Sequence, residues 1–161
     1  AAAGMREVGL GALLGLTDWR IETLALAEHA RHIIKCYWQS HVSFSFPRLR
    51  PAYKVQEAQF SAFTDRNLVQ MMTALRLCFA DVGMVLSTRE RAALRDNLIA
   101  LGITRLSAGS RTSPGGYSGR TEATGQFEID DNRSPAEVVA MIKQRGFEPV
   151  WKDWDKAFIG D

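Results

Sequence analysis

Apolar residues along the chain alternate four times between a short run and a longer stripe at helical spacing. Residues 8–14 form the first short run, and Thr17 and Asp18 then mark the start of a helix. The stripe that follows has spacings of 4, 3 and 4 and consists of Leu26, Ala30, Ile33 and Tyr37. A short apolar run before an amphipathic helix predicts a strand followed by a crossover helix.

The second and third occurrences of this pattern are equally clear. Residues 42–46 alternate between apolar and polar side chains and stop at Pro47, as a strand does, and Thr64 then opens a helix. One face of that helix carries Leu68, Met71, Met72, Leu75 and Phe79. Residues 82–86 are the third predicted strand, and Gly102 ends the helix after it. The apolar stripe of that third helix is Leu94, Leu98 and Leu101.

A fourth strand is predicted at residues 103–106, and a long loop follows it. The last helix has the clearest start in the chain, because Ser134 precedes a proline and Glu137 stands three residues after Ser134, as in a capping box. Gly146 ends this helix, and residues 147–151 are expected to form one more short strand.

Alternation of strand and helix implies parallel strands joined by right-handed crossovers. The predicted fold class is therefore α/β, either a doubly wound open sheet or part of a closed barrel. An eight-stranded (β/α)8 barrel needs about 200 residues or more, so a chain of 161 residues supplies about half of one. Residues 1–161 are expected to form a single domain without an internal linker.

Composition narrows the class of protein. With 46% hydrophobic residues, 24% charged residues and a net charge of +2, the chain has the composition of a folded domain rather than a disordered one. No apolar run approaches the roughly 18 residues of a membrane span. The basic residues are mostly arginines and are scattered, so nucleic-acid binding is not expected.

The chain has two cysteines, Cys36 and Cys78, and this small number fits a reducing, cytoplasmic setting. The first residues resemble a cut within a longer protein.

Three of the predicted strands are followed by an arginine: Arg48, Arg89 and Arg111. Ligands of parallel α/β proteins bind at the carboxyl ends of the strands, and arginine matches a carboxylate with two parallel hydrogen bonds. Three arginines at equivalent positions therefore favour an anion-binding mouth over three solvated loop residues. The loop of residues 107–116 is also rich in glycine, serine and threonine, which suits phosphate, although no Lys-Ser/Thr pair follows at phosphate-loop spacing.

Other groups of residues carry less chemistry. His29, His32 and Cys36 lie along one side of the first helix, but that side flanks its core stripe, and we expect no metal site there. Residues 151–155 include two tryptophans and are expected to pack as a terminal plug. No arrangement of serine or cysteine with histidine predicts a catalytic nucleophile.

Several motifs occur together, in order, along nearly the whole chain. They are residues 9–20 (GLGALLGLTDWR), 45–51 (SFPRLRP), 87–90 (STRE), 107–110 (SAGS), 126–131 (QFEIDD), 133–134 (RS) and 150–155 (VWKDWD). In combination they closely resemble the 2-iminoacetate synthases, the radical S-adenosylmethionine tyrosine lyases of thiamine biosynthesis. The resemblance covers only the carboxyl-terminal half of that enzyme.

This resemblance implies the carboxyl-terminal half of a radical S-adenosylmethionine (β/α)8 barrel with a biotin/thiamin-synthesis-associated region. The family cleaves the Cα–Cβ bond of tyrosine through a 5′-deoxyadenosyl radical to give 2-iminoacetate and 4-cresol, and 2-iminoacetate passes to thiazole synthase. By the same resemblance, Arg89 holds the substrate carboxylate and Ser107 is a neighbouring contact. Arg48 is similar to a pocket arginine whose ligand is unassigned, and Gly9 and Gly11 are similar to a segment that approaches S-adenosylmethionine.

One family feature is absent from the chain. The Cys-x3-Cys-x2-Cys motif that binds the [4Fe–4S] cluster cannot be formed by Cys36 and Cys78, so the chain alone is expected not to turn over tyrosine and holds no catalytic residue. A sister family that makes the carbon monoxide and cyanide ligands of a hydrogenase shares the arginine motifs. It carries further cysteines near its carboxyl terminus, and their absence here favours the thiamine branch.

Two other functions remain open at this point. One is a phosphate-handling α/β domain that uses residues 107–116, and the other is a non-catalytic half-barrel that pairs with itself or with another chain. An incomplete barrel has two open parallel edges and is expected to be poorly stable alone. The expected partner is therefore an amino-terminal half-barrel or a second copy.

Overall fold

The computed structural model describes residues 1–49, 62–113 and 129–151. Its strands are β1 (Glu7–Gly11), β2 (His41–Ser45), β3 (Gly83–Leu86) and β4 (Arg105–Leu106). Its helices are α1 (Trp19–Cys36), α2 (Asp65–Cys78), α3 (Ala92–Leu98) and α4 (Pro135–Gln144), and a short 3-10 helix (Ile99–Leu101) follows α3 directly. The strand–helix alternation predicted from the sequence is confirmed.

The four strands form one parallel sheet in the order β1-β2-β3-β4. Gly9 lies opposite Ser43, and Ser43 lies opposite Gly83, so the register is continuous across three strands. A doubly wound sheet reverses its strand order, and this sheet does not. The doubly wound alternative is therefore wrong, and the order is that of part of a (β/α)8 barrel.

One face of the sheet packs against the helices and forms the main core. Its strand residues include Leu10, Phe44, Met84 and Leu86, and its helix residues include Leu26, Ala30, Ile33, Leu68, Met71, Met72 and Leu75. The stripes predicted for the first two helices are thus confirmed at these positions. In β2, however, Val42, Ser43 and Phe44 are all buried, because the polar positions of this strand lie between neighbouring strands instead of facing water.

The other face of the sheet carries mostly small and polar side chains. Gly9, Ser43 and Gly83 occupy one level of this face, and an ion pair joins Glu7 in β1 to Arg105 in β4. Three strand spacings separate these outer strands by about 14 Å in a flat sheet. The ion pair across that separation indicates that the sheet curves, as the wall of a barrel does.

Helix boundaries follow the capping residues read from the sequence. Asp18 accepts the amide of Arg20 at 2.8 Å at the start of α1. The predicted capping box of α4 is present, with Glu137 accepting the amide of Ser134 at 2.7 Å and the Ser134 hydroxyl accepting the amide of Glu137 at 3.3 Å. Gly102 ends the 3-10 helix at φ +97°, a left-handed conformation that favours glycine.

Three predicted elements differ from the structure. β4 contains two residues instead of the predicted four. Just before it begins, the Thr104 hydroxyl accepts a hydrogen bond from the amide of Met84 at 2.9 Å, in place of a main-chain carbonyl. Leu101 is exposed and Ile99 is buried, since the 3-10 turn rotates the end of the third helix. Residues 147–151 form no strand in the described part of the chain, and Trp151 is 74% exposed, so the expected burial of this tryptophan is wrong. Residues 152–155 of the expected plug lie outside the described residues.

Arg76 joins three elements at the end of the sheet where the strands begin. Its guanidinium donates to the carbonyls of Phe79, Ala80, Val82 and Gly102 at 3.3, 2.8, 2.7 and 2.6 Å. The carbonyls of Phe79 and Ala80 follow α2, that of Val82 directly precedes β3, and that of Gly102 follows the 3-10 helix. A Cβ added at Gly102 would lie 2.8 Å from the Arg76 Nε.

Across residues 1–49, 62–113 and 129–151, no helix is long and apolar enough to cross a membrane.

Gly102→Ala is predicted to destabilise the chain more than Gly146→Ala. Both glycines have positive φ, but a Cβ at Gly146 meets nothing within 4 Å. Each alanine should lower the free energy of unfolding by about 1 kcal/mol through left-handed strain. Gly102→Ala should lose roughly 1–2 kcal/mol more because it displaces Arg76 from its carbonyls. Urea denaturation measures both values, and equal losses would contradict this reading.

Candidate functional site

The loops that follow β1 and β2 are tied together by their main chains. Leu14 and Arg48 form a parallel bridge beyond the ends of these strands. The Leu14 amide donates to the Pro47 carbonyl at 2.8 Å, and the Leu49 amide donates to the Leu14 carbonyl at 2.8 Å. The main chain of Arg48 is thereby fixed at the carboxyl edge of the sheet, where a barrel binds its ligands.

Glu90 and Asp65 hold the guanidinium of Arg48. Its Nε donates to Glu90 Oε1 at 2.8 Å, a second N–H donates to Glu90 Oε2, and a third donates to Asp65 Oδ1 at 2.8 Å. The Glu90 side chain is 1% exposed and the Arg48 side chain 12%. The resemblance left the ligand of Arg48 unassigned. In the structure, its guanidinium binds two carboxylates of the same chain, those of Glu90 and Asp65.

This cluster of charges, completed by Arg91 on the second oxygen of Asp65, shifts the pKa of Arg48 and the pKa of Asp65. Burial alone would lower the pKa of Arg48, but the hydrogen bonds and charges of Glu90 and Asp65 raise it. Burial alone would raise the pKa of Asp65, but hydrogen bonds from Arg48 and Arg91 lower it. Arg48 and Asp65 are therefore both charged at neutral pH. The formal charges of the two arginines and the two acids in this cluster add up to zero.

Arg89 lies directly beside Arg48. One N–H of its guanidinium donates to the Arg48 main-chain carbonyl at 3.2 Å, and its own amide donates to the Ser87 hydroxyl at 3.4 Å. The structure therefore brings Arg48 and Arg89 together at the carboxyl ends of β2 and β3. Arg111 is exposed in the loop that follows β4.

A second cluster of charged residues consists of Arg95, Asp96, Asp131 and Arg133, and the main chain of Ser107 contacts it. The Ser107 amide donates to the Leu86 carbonyl at 3.1 Å, and its carbonyl accepts from the guanidinium of Arg95. Arg95 also pairs with Asp131, and both side chains are 1% exposed. Arg133 bridges Asp131 to Asp96, with one N–H 2.8 Å from an oxygen of each acid.

The second cluster holds residues 129–133 over the loop that follows β3. The carbonyl of Thr88 accepts the amides of Asp130 and Asp131, both at 3.1 Å. Burial alone would raise the pKa of Asp131, but hydrogen bonds from Arg133 and the charge of Arg95 lower it to about 2. Burial lowers the pKa of Arg95. The carboxylate of Asp131 is therefore charged throughout the physiological range and fixes this segment in place.

Sequence reasoning missed Glu90, Arg95 and Asp131 as buried charges. One signal was present, because Arg95 stands three residues before Leu98 and four before Ile99, on the apolar face of its helix. A buried charge at such a position requires a buried partner. The sequence does not show which acid supplies it, since Asp131 comes from a distant loop.

The expected phosphate loop lies partly outside the described residues, at 114–116. Within the described part, the amide of Gly109 donates to the carbonyl of Arg133 at 3.2 Å. This amide is engaged inside the protein, so no observation here favours a phosphate site. Residues 50–51 and 126–128 of the resemblance motifs also lie outside the described part.

Gly9 and Gly11 line the curved inner face of β1, where they play different structural roles. A Cβ at Gly11 would lie 2.3 Å from the Ser45 Oγ and 3.1 Å from the Ser45 carbonyl oxygen, so the neighbouring strand leaves little room for a side chain there. A Cβ at Gly9 would lie 3.7 Å from the Ser43 Oγ, an ordinary contact distance, so this glycine leaves space that a side chain would fill. The inner face at Gly9 therefore fits the close approach of an organic cofactor.

The residues of this chain do not fit an iron–sulfur cluster. Cys36 and Cys78 are exposed at the last positions of α1 and α2, on the side where β2 and β3 begin. His29 and His32 are also exposed, with 3.8 Å between His32 Nδ1 and Cys36 Sγ, so these residues face away from the core. Among the described residues, no three His, Cys, Asp or Glu side chains converge to hold a metal ion.

The fold and the charged carboxyl edge together define a class: part of a parallel (β/α)8-type barrel in which buried ion pairs join the loops at the carboxyl ends of the strands. Residues 45–148 match the family described as the Biotin and Thiamin Synthesis associated domain, and the chain belongs to this family.

Two curated relatives are similar to nearly the whole chain. It is 45% identical over 159 residues to the 2-iminoacetate synthase of Escherichia coli (strain K12), which covers 98% of this chain and 42% of that relative. It is 44% identical over 154 residues to the 2-iminoacetate synthase of Salmonella typhimurium (strain LT2), and this match covers 95% of this chain and 41% of that relative. The chain thus spans about two fifths of these relatives, and the resemblance read from its motifs is confirmed.

Two solved structures share the fold. The crystal structure of HydG, a maturase of the [FeFe]-hydrogenase, superposes with a TM-score of 0.85 at 37% identity and covers 94% of this chain and 33% of that one. The X-ray structure of HydG from Carboxydothermus hydrogenoformans gives a TM-score of 0.83 at 37% identity, with coverage of 95% and 35%. Both agree with the assignment of the fold as part of a radical S-adenosylmethionine barrel.

Asp131→Asn is predicted to destabilise the chain in a pH-dependent way. The Asp131 carboxylate contributes fully above about pH 4, the ordinary pKa of aspartate, and its contribution is lost as pH falls through about 2, its pKa in the folded protein. The variant should lose about 3 kcal/mol at pH 7, because it leaves Arg95 buried without its charged partner.

The free energy of unfolding, measured in urea from pH 7 to pH 2, tests this prediction. The gap between the original chain and Asp131→Asn should close toward pH 2. Asp81→Asn is the matched control, since Asp81 is exposed in the turn before β3. A gap that stayed constant with pH would contradict the assigned role of Asp131.

Proposed function

We propose that this chain forms the carboxyl-terminal part of a tyrosine lyase of thiamine thiazole synthesis. The lyase cleaves the Cα–Cβ bond of L-tyrosine through a 5′-deoxyadenosyl radical and releases 2-iminoacetate and 4-cresol. Identity of 45% over 98% of the chain to a 2-iminoacetate synthase supports the reaction class. The chain's part in this reaction is to bind and orient the substrate.

Arg89 is the proposed receptor of the tyrosine carboxylate. The observation that carries this assignment is the position of Arg89 at the carboxyl end of β3, next to the residue that follows β2. One N–H of its guanidinium donates to the Arg48 main-chain carbonyl at 3.2 Å, while Arg48 gives three N–H groups to Glu90 and Asp65. In this proposal Arg48 shapes the mouth, and Ser107, at the end of β4, is a neighbouring substrate contact.

S-adenosylmethionine and the [4Fe–4S] cluster are the cofactors of the proposed reaction, and they supply its radical chemistry when bound. The space at Gly9 supports an approach of S-adenosylmethionine to the inner face of β1, with Gly11 next to it. The cluster ligands belong to the part of the relatives outside this match, since the two cysteines here do not fit the cluster.

An amino-terminal half-barrel is the proposed partner of this chain. β1 and β4 are the outer strands of the sheet, and a groove of about 660 Å³ between β4 and α4 is lined by residues that include Leu106, Val138 and Trp151. Closure of the barrel would cover these edges. We further propose that the chain alone is inactive, that the complete protein works in the cytoplasm, and that thiazole synthase receives its product.

Arg89→Ala is predicted to weaken tyrosine binding by roughly 10–100-fold, the value of a lost charge-assisted hydrogen bond pair. The test uses this chain joined to the amino-terminal part of the Escherichia coli relative, called the completed protein below. Equilibrium dialysis compares L-tyrosine with tyramine, which lacks the carboxylate. The variant should weaken tyrosine binding and leave tyramine binding unchanged.

Arg31→Ala is the control for this measurement, because Arg31 is an exposed arginine that pairs with Glu28 on the surface of α1. It should alter neither affinity. If Arg89→Ala bound tyrosine as tightly as the unchanged completed protein, the substrate assignment would be wrong.

The two halves are predicted to associate when they are expressed as separate polypeptides. The chain and the amino-terminal part of the relative should form a one-to-one complex that binds tyrosine, while the chain alone should bind none. Analytical ultracentrifugation and dialysis measure these properties. If the chain formed a complex with itself and did not bind the amino-terminal half, the result would support the non-catalytic alternative instead.

A further inference from the structure

We propose that Glu7 is a specificity residue that accepts a hydrogen bond from the phenol hydroxyl of the substrate. This inference rests on the proposed function, in which Arg89 receives the carboxylate at the other end of the tyrosine molecule. It assigns to this chain the choice of tyrosine over an aromatic amino acid that lacks the hydroxyl.

Arg89 and Glu7 lie at opposite ends of the sheet. Arg89 follows the last residue of β3 by three positions, and its guanidinium reaches the Arg48 carbonyl at the carboxyl edge. Glu7 is the first residue of β1, at the end where the strands begin. A ligand that lies along the strands with one end at Arg89 therefore has its other end toward Glu7.

Glu7 belongs to the inner face of the sheet. Alternate residues of a strand share a face, and Gly9 and Gly11 follow Glu7 at alternate positions of β1. The Glu7 side chain is only partly buried, and an N–H of Arg105 in β4 donates to its Oε1. Since β1 and β4 are the two outer strands, this ion pair crosses the inner space from one side of the sheet to the other.

The register of β4 sets the depth of the ion pair. Arg105 is the register partner of Val85, and Val85 precedes Arg89 by four residues, which span no more than about 13 Å of strand. The Glu7 carboxylate contacts the Arg105 guanidinium, so it lies within the reach of one arginine side chain from this level. An extended tyrosine carries its carboxylate and its hydroxyl at opposite ends. With the carboxylate at Arg89, the hydroxyl points toward the Glu7 carboxylate.

Small residues leave room for an aromatic ring beside this ion pair. Gly9, Ser43 and Gly83 lie side by side on the inner face, and the two glycines carry no side chain to fill it. Val85 occupies the next inner position of β3 toward the carboxyl edge and offers an apolar contact. The inner face between Arg89 and Glu7 thus suits a ring with a polar group at each end.

Glu7 has an oxygen that can accept a hydrogen bond from a ligand. Its Oε1 accepts from Arg105, and within residues 1–49, 62–113 and 129–151 no hydrogen bond reaches its Oε2. A phenol O–H donates one hydrogen bond, and a charged carboxylate accepts it more strongly than a neutral oxygen does. Phenylalanine would displace water from Oε2 without replacing the hydrogen bond, and this loss favours tyrosine.

Glu7→Leu in the completed protein tests this inference. The variant keeps a side chain of similar size but removes the acceptor. The measured quantity is the ratio of L-tyrosine affinity to L-phenylalanine affinity in equilibrium dialysis, which reports the contribution of the hydroxyl. We expect this ratio to fall about 10–100-fold, the range of a hydrogen bond to a charged group. An unchanged or increased ratio would overturn the inference.

Glu7→Gln provides the test if Glu7→Leu does not fold. It keeps one oxygen acceptor but loses the charge, so the ratio should fall about 3–10-fold, and an unchanged ratio would again overturn the inference. Glu28→Gln is the matched control, because Glu28 also pairs with an arginine but lies on the exposed surface of α1. It should leave the ratio unchanged. A fall as large as that of Glu7→Gln would show that the effect does not come from the inner face.

Tyramine separates this inference from the proposed function. The ratio of tyrosine affinity to tyramine affinity reports the carboxylate, so Arg89→Ala should lower it and Glu7→Leu should leave it unchanged. If Arg89→Ala left that ratio unchanged, the assignment of the carboxylate to Arg89 would fail. If Arg89→Ala lowered it while Glu7→Leu had no effect on the preference for tyrosine over phenylalanine, the inference about Glu7 alone would fail.

Discussion

The buried ion pair between Arg48 and Glu90 is the contact on which the candidate site depends. It joins the loops that follow β2 and β3, and the bridge between Leu14 and Arg48 extends the connection to the loop after β1. Each of these charges would be costly to bury alone, so each requires the other. A barrel builds its site from loops on different strands, and such loops need cross-connections to hold a fixed geometry.

The second charged cluster plays the same part at the far side of the sheet. Arg95 and Asp131 are fully buried, and together with Arg133 they hold a distant segment against Thr88 and the end of β4. The two ends of the sheet are therefore held by different kinds of contact. The ends where the strands begin are closed by Arg76 and Gly102, while the carboxyl ends carry charged networks.

Periodicity and capping residues predicted most of the fold, because these signals are local. The stripe from Leu26 to Ile33 and the capping box at Ser134 are examples that the structure confirms. The pairing of Glu90 with Arg48, 42 positions apart, was beyond local patterns. Position at strand ends did predict that Arg48 and Arg89 lie together, but it gave both the same role. The geometry shows in addition that the Arg48 guanidinium is held by Glu90 and Asp65.

The most direct test of the account is NMR of the arginine Nε–H groups in the completed protein during titration with tyrosine. The account predicts that the Arg89 signal shifts on addition of L-tyrosine, that it does not shift with tyramine, and that the Arg48 signal, held by Glu90, stays in place. A shift of the Arg48 signal in place of the Arg89 signal, or no shift of either with tyrosine, would contradict it.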